Sequence, residues 1–278
     1  MGIKLITIDI DDTLVNSEKQ ITPRVKQALQ TATNQGVKVV LATGRPLSGV
    51  QDYLTQLHLA NQSDQFAITY NGSVVQTTAG EQLGGHELSL ADYKKFKAIA
   101  EKYNSYIQVE SLSYAITANT MVNRFANGEN NMVRMPLKFQ PVSDMTTDEH
   151  YVKFMFIDEA EKIDELAEHM PQELKDEYYI VKSTPNFLEV MHKQSTKGNG
   201  LQLLADKLGI DMSETMALGD QHNDLTMIAA SGIGVAMANA VPEVKATADV
   251  MTTSQNEDGV GLAVEKWVLN QSVPELEN

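Results

Sequence analysis

"ITIDIDDTLV", Ile6 to Val15, is a run of β-formers that ends in three carboxylates, Asp9, Asp11 and Asp12. Ile3, Leu5, Ile6 and Ile8 are aliphatic and mostly β-branched, the composition of a central strand covered on both faces. The acids therefore stand where that strand would leave a sheet. Unpaired, they repel one another, and desolvating even one carboxylate is costly unless a cation or hydrogen-bond donors compensate. Two readings are open on this segment alone: a cation site at a strand end, or solvated turn and cap residues of a kind in which Asp is common.

Outward from that strand, helix and strand signals alternate. Thr22 and Pro23 mark a helix start, Val25, Ala28, Leu29 and Ala32 form its apolar face, and Gly36 ends it. "VKVVLATG" (Val37 to Gly44) is a second continuous apolar strand, and a helix with Val50, Tyr53, Leu54 and Leu57 on one face follows from Pro46. "FAITYNGSVVQ" holds two strand-like runs around Asn71-Gly72, a hairpin signal. The middle of the chain reads differently. An amphipathic helix behind Ser89, the short strands "YIQVE", "YAITA", "YVKFMFID" and "YYIVKS", and a helical region broken at Pro171 describe an α+β insert with an antiparallel sheet. Met121 to Asp148 shows no period. Alternation resumes after Phe187, with a helix from Lys197 to Leu208, a strand "TMALGD" ending at Asp220, and further strand and helix signals to Trp267. The expected fold class is α/β: a doubly wound, mostly parallel sheet formed by the two ends of the chain, with the middle inserted.

Composition narrows the partners. The 278 residues carry a formal net charge of -15, which repels nucleic acid and anionic membrane surfaces at long range. A small anionic substrate would need local help from a cation, helix N-termini or positioned Lys and Arg. The absence of Cys excludes disulfides and thiolate chemistry. The opening "MGIKLITIDI" lacks the apolar core of a signal peptide, and no run of about 18 apolar residues is present to span a bilayer. A cytoplasmic location without membrane contact is the expectation.

In an open parallel sheet, ligands bind beyond the carboxyl ends of the strands. Four features would gather there: "DIDDT" (Asp9 to Thr13), "TGR" (Thr43 to Arg45), "STKGNG" (Ser195 to Gly200) and "GDQHND" (Gly219 to Asp224). Together they supply carboxylates for a hard cation, a hydroxyl beside free backbone N–H groups, and one lysine. In order and spacing, "DIDDTLV", "TGR", Lys197 and "GDQHND" resemble the four motifs of the haloacid dehalogenase (HAD) superfamily of aspartate-nucleophile phosphatases. "ITYNGSVV", "STKGNGLQLLADKLGI" and the large insert resemble its Cof-type sugar phosphatases.

The resemblance implies a Rossmann-like core over residues 1–83 and 187–278 and an α+β cap over 84–186 that closes over the site. It implies a phosphatase of small phosphorylated metabolites, expected to be sugar phosphates, with Asp9 as nucleophile and Asp11 as general acid and base. Mg²⁺ would be held by the Asp9 carboxylate, the Asp11 backbone carbonyl and Asp220, with Asp224 orienting that shell. Thr43 and Gly44 would bind phosphate oxygens, Lys197 would neutralise charge developing during transfer, and Asn223 would add a phosphate or metal-shell contact. A phosphotransferase or mutase using the same intermediate, and a non-catalytic metabolite-binding protein, are the competing readings.

Residue by residue, the plain alternatives are caps and turns: Asn223 as a cap, Thr43 as a strand-end residue, Asp224 as a helix-start acid. Lys197 fits that picture poorly, because a cation in the first turn of a helix opposes its dipole. The family usually has Gly where this chain has Asp12, and Asp is expected to tolerate the turn. His222 is expected to face solvent, and Arg124 is a weak candidate for substrate contact.

Overall fold

A computed structural model describes residues 2–276, whose backbone divides into two compact units. The first takes in the chain up to Gly44, Gln51–Gly85 and the chain from Thr196; the second takes in Arg45–Val50 and His86–Ser195. In the first unit, β1 (Leu5–Ile8) leads through an irregular turn to α1 (Pro23–Asn34). Thr22 caps α1 by accepting from the Val25 N–H, and Pro23 sits where no N–H is needed. There follow β2 (Lys38–Ala42), α2 (Gln51–Gln56), β3 (Phe66–Thr69), β4 (Val74–Thr77) and β5 (Gln82–Gly85). The Asn71-Gly72 hairpin forms as read, with β3 and β4 antiparallel.

The second unit opens with α3 (Leu90–Lys102), whose capping box joins Ser89 and Asp92. It continues with β6 (Tyr106–Glu110), β7 (Ala115–Thr117), α4 (Arg124–Met132), β8 (Leu137–Phe139), β9 (Lys153–Ile157), α5 (Ala160–Glu168), α6 (Gln172–Glu177), β10 (Tyr178–Thr184) and β11 (Phe187–His192). The strands form one sheet in the order β10-β11-β9-β6-β7-β8. Phe96, Val109, Phe154, Phe156, Ile163 and Leu188 are among the residues that pack α3 and α5 onto one face. On the other face Ala126 of α4 packs with Tyr106, Met155 and Ile157. The expected return to the first unit at Phe187 is corrected by β11, which pairs with β9 and β10, so the return falls at Thr196. An alternating strand reads alike whichever sheet it joins. The entry and exit of this unit are adjacent, since the rings of His86 and His192 stack at 4.9 Å.

The first unit resumes with α7 (Lys197–Leu208), β12 (Thr215–Gly219), α8 (Leu225–Ala230), β13 (Ile233–Ala236), α9 (Pro242–Thr247), β14 (Val250–Met251) and α10 (Gly259–Trp267). Its sheet has the order β14-β13-β12-β1-β2-β3-β4-β5, parallel from β14 to β3 and antiparallel at β4 and β5. This is the doubly wound, mostly parallel α/β sheet expected. Every residue of β1, β3, β4 and β12 is buried, as central strands covered on both faces require.

The second unit also buries charge. Lys153, 3% exposed, lies opposite Glu110 in the register of β6 and β9, and its Nζ is 3.3 Å from Glu110 and 3.4 Å from Glu189. Burial pushes the Glu110 carboxyl above its usual range, and the ammonium opposes that shift. Removing the cation would leave two buried carboxylates facing each other. Lys153→Ala is therefore expected to destabilise the protein by about 3–5 kcal/mol, read as a lowered urea midpoint. A loss below about 1 kcal/mol would show that the carboxylates are already neutral or hydrated.

Candidate active site

Three neighbouring parallel strands, β12, β1 and β2, end together. Their register aligns Ile8 with Leu218 on one side and Leu41 on the other, so Asp9 emerges beside Gly219-Asp220 and Ala42-Thr43. The Asp9 N–H donates to the Leu218 carbonyl at 3.0 Å, holding the strand to its last residue. Beyond it the chain turns sharply, with the Leu14 N–H returning to the Asp9 carbonyl at 3.2 Å and the Val15 N–H to that of Ile10 at 3.1 Å. Asp12 occupies this turn with φ 57° and ψ 15°, the left-handed region in which Asp is better tolerated than most residues.

Lys197, on the first turn of α7, is fully buried and reaches across the strand ends. Its Nζ donates to Asp9 Oδ1 at 2.5 Å and to Asp224 Oδ1 at 2.6 Å. Burial alone would discharge the amine, but the two carboxylates outweigh it and hold the Lys197 pKa above its usual range. Asp224 Oδ2 accepts from the backbone N–H groups of Asp220 (2.9 Å) and Gln221 (3.0 Å), so both its oxygens are engaged. Gly219 makes that approach possible, because a Cβ there would lie 2.4 Å from Asp224 Cγ.

Asp9, Asp220 and Asp224 form a buried carboxylate group whose oxygens lie within 4.8 Å of one another. Burial raises Asp9 to about 8, against the pull of Lys197 and with the push of Asp224 and Asp220. Burial also raises Asp220 to about 6, opposed by a hydrogen bond from Thr13. One ammonium among three buried carboxylates leaves negative charge uncompensated. A hard divalent cation beside Asp9 and Asp220 fits this donor set, while Asp224, with both oxygens committed, serves to orient Asp220 and Lys197.

The Asp11 side chain stands apart from the group, 42% exposed and bonded to Lys19 Nζ at 3.2 Å. Thr43 is buried at the end of β2, and its N–H donates to the Ile68 carbonyl at 2.9 Å. Asn223 Nδ2 donates to Asn71 Oδ1 at 3.1 Å. Two residues to which the sequence assigns no role thus join the site: Asn71, and Thr13, whose hydroxyl donates to Asp220 Oδ1 at 2.7 Å. The Asn-Gly turn signal and the family-like run "ITYNGSVV" mark the first without giving it a role, and only its place in the acidic motif marks the second. His222 faces solvent, 3.7 Å from Glu243, and Arg124 is an exposed residue paired with Glu159 at 2.9 Å.

The chain matches the family model of haloacid dehalogenase-like hydrolases over residues 6–264. It is 41% identical over 271 residues to a Streptococcus pyogenes protein that carries the name of a phosphatase, covering 97% of this chain and 100% of that one. It is 32% identical to the 5-amino-6-(5-phospho-D-ribitylamino)uracil phosphatase of Bacillus subtilis, covering 97% of each. Among solved structures it resembles a HAD subclass IIB sugar phosphatase with a TM-score of 0.76 and 25% identity, over 95% of this chain and 98% of that one.

The raised Asp9 gives a pH dependence with a definite sign. Between the ordinary carboxylate range and about 8, the folded metal-free chain holds a proton that the unfolded chain has released, so stability falls as pH rises through that window. A cation requires the deprotonated carboxylates, so its stabilising effect grows over the same window. The rise in Tm on adding Mg²⁺ is expected to be larger at about pH 8 than at about pH 5.5. An increment independent of pH would count against a carboxylate-held cation.

Asp12→Gly supplies a second check, because Gly adopts the left-handed turn without strain. The variant is expected to keep its stability to within about 1 kcal/mol in a urea titration, and a larger loss would mean that the Asp12 side chain itself anchors the turn.

Proposed function

The chain belongs to the haloacid dehalogenase-like hydrolase family and is a phosphatase, and from that premise we propose that it hydrolyses small phosphorylated metabolites, sugar phosphates above all, through an aspartyl-phosphate on Asp9. The observation that carries this reading is the pairing of Asp9 with Lys197 at a buried strand end, beside two further carboxylates. Mg²⁺, when bound to Asp9, the Asp11 carbonyl and Asp220, supplies the positive charge that keeps Asp9 ionised and lets an anionic phosphoryl group approach it.

In the first half-reaction an Asp9 oxygen forms a bond to phosphorus as the bond to the leaving oxygen breaks, and Asp11 delivers a proton to that oxygen. In the second, Asp11 takes a proton from water, the water oxygen bonds to phosphorus, and the bond to Asp9 breaks to release phosphate. A carboxylate nucleophile needs no base in the first step, so the exposed Asp11 is left to serve as acid and then base. Lys197 offsets charge on the transferring group, and the Thr43 hydroxyl, the Gly44 N–H and the Asn223 amide are the proposed holders of its oxygens. Sugar phosphates are favoured because the Bacillus subtilis relative acts on a phosphorylated ribityl compound and the subclass IIB neighbour is a sugar phosphatase, both polyhydroxylated monoester chemistries.

Phosphate release from p-nitrophenyl phosphate and a panel of sugar phosphates, with Mg²⁺ or excess chelator, tests the reading directly. Turnover is expected with Mg²⁺ only, and Asp9→Asn is expected to lower kcat at least about 10³-fold. Asp9→Asn retaining activity would overturn the covalent route, and transfer to an added sugar in place of phosphate release would reassign the enzyme as a phosphotransferase.

A further inference from the structure

We infer that Asn71, at the tip of the β3–β4 hairpin, is a positioning residue whose side chain orients the Asn223 amide for the phosphoryl group; this rests on the phosphatase reading above. The hairpin tip is built against its own backbone preferences. Tyr70, Asn71 and Gly72 follow one another with φ of 51°, 54° and 93°, and the first two are not glycine. Left-handed Asn is unremarkable alone, but a left-handed Tyr beside it is an outlier that persists only where surrounding structure imposes it. Tyr70 and Asn71 are both buried, so the tip is not a solvent-exposed turn free to relax.

What imposes this conformation is contact with three phosphate-side segments at once. The Asn71 N–H donates to the Thr43 carbonyl at 2.9 Å, and the Asn71 amide lies against Gly44. Gly72 lies so close to the residue before Lys197 that a Cβ on it would sit 2.1 Å from the Thr196 carbonyl oxygen. Asn71 Oδ1 accepts from Asn223 Nδ2, which holds the Asn223 nitrogen toward the hairpin tip and leaves it a second N–H to donate. An ordinary hairpin turn would satisfy β3 and β4 without any of these contacts. The strained tip thus links the loops after β2 and β12 to the start of α7.

The test exploits the strain. Asn71→Gly removes the side chain but suits the left-handed backbone, so its Tm is expected to match or exceed that of the wild type. With Mg²⁺ present, the competitive inhibition constant of inorganic phosphate against p-nitrophenyl phosphate is expected to rise roughly tenfold, with KM moving alike. In an Asn223→Ala background the same substitution is expected to cost less than about twofold, because the residue through which it acts is already gone. An unchanged phosphate constant in Asn71→Gly, or a full additional loss in the Asn223→Ala background, would overturn the positioning role while leaving the phosphatase reading intact. A wild type that neither turns over phosphate esters nor binds phosphate would overturn both.

Discussion

One buried ammonium organises the first unit's chemistry. Lys197 is bonded to Asp9, 188 residues away along the chain, and to Asp224, 27 residues away. Each of the three would be costly to bury alone, and each is tolerable because of the others. The arrangement is possible only because β1 and β12 are parallel neighbours that end together and α7 begins at the same edge. The first-turn position of Lys197, unfavourable for an isolated helix, is what carries its amine to the two carboxylates.

That balance is deliberately incomplete. Lys197 compensates Asp224 and part of Asp9, while Asp220 relies on the Thr13 hydroxyl and the Gln221 side chain. Burial raises Asp9 and Asp220, and the neighbouring carboxylates add to both shifts. Hydrophobic substitutes would pack the same strand ends with less penalty, so the residual charge is a cost to folding that protonation or a bound cation would relieve. The site is therefore predisposed toward its ligand by what the fold fails to satisfy on its own.

Much of this arrangement is legible in the sequence. Central parallel strands read as unbroken apolar runs, and their ends are marked by residues that no buried strand would carry, which is why Asp9, Thr43 and Asp220 stand out. The fold class followed from the same runs. The return point after the insert was harder, because "FLEVMH" has the pattern of a strand in either sheet and its partners in β9 and β10 are set by long-range pairing. The helix at Arg124–Met132 was invisible to periodicity: it is rich in Asn and carries a Gly, and it stands on its Asn123 cap, the packing of Ala126 and the reciprocal amide bonds of Asn130 with Gln108. The roles of Thr13 and Asn71 depend on partners more than 150 residues distant, Asp220 and Asn223, and no local signal records such pairs.

The adjacency of His86 and His192 bears on descent as well as on architecture. A unit of some hundred residues whose two ends lie one ring-stack apart constrains its host hardly more than a short loop would, since the chain-entropy cost of closing it grows only with the logarithm of its length. Such a module can be lengthened, remodelled or exchanged between lineages without disturbing the strand ends where Asp9, Lys197 and Asp220 meet. The second unit can then change in length and sequence on its own evolutionary clock, while the strand ends of the first are held nearly constant by an electrostatic balance that admits few substitutions.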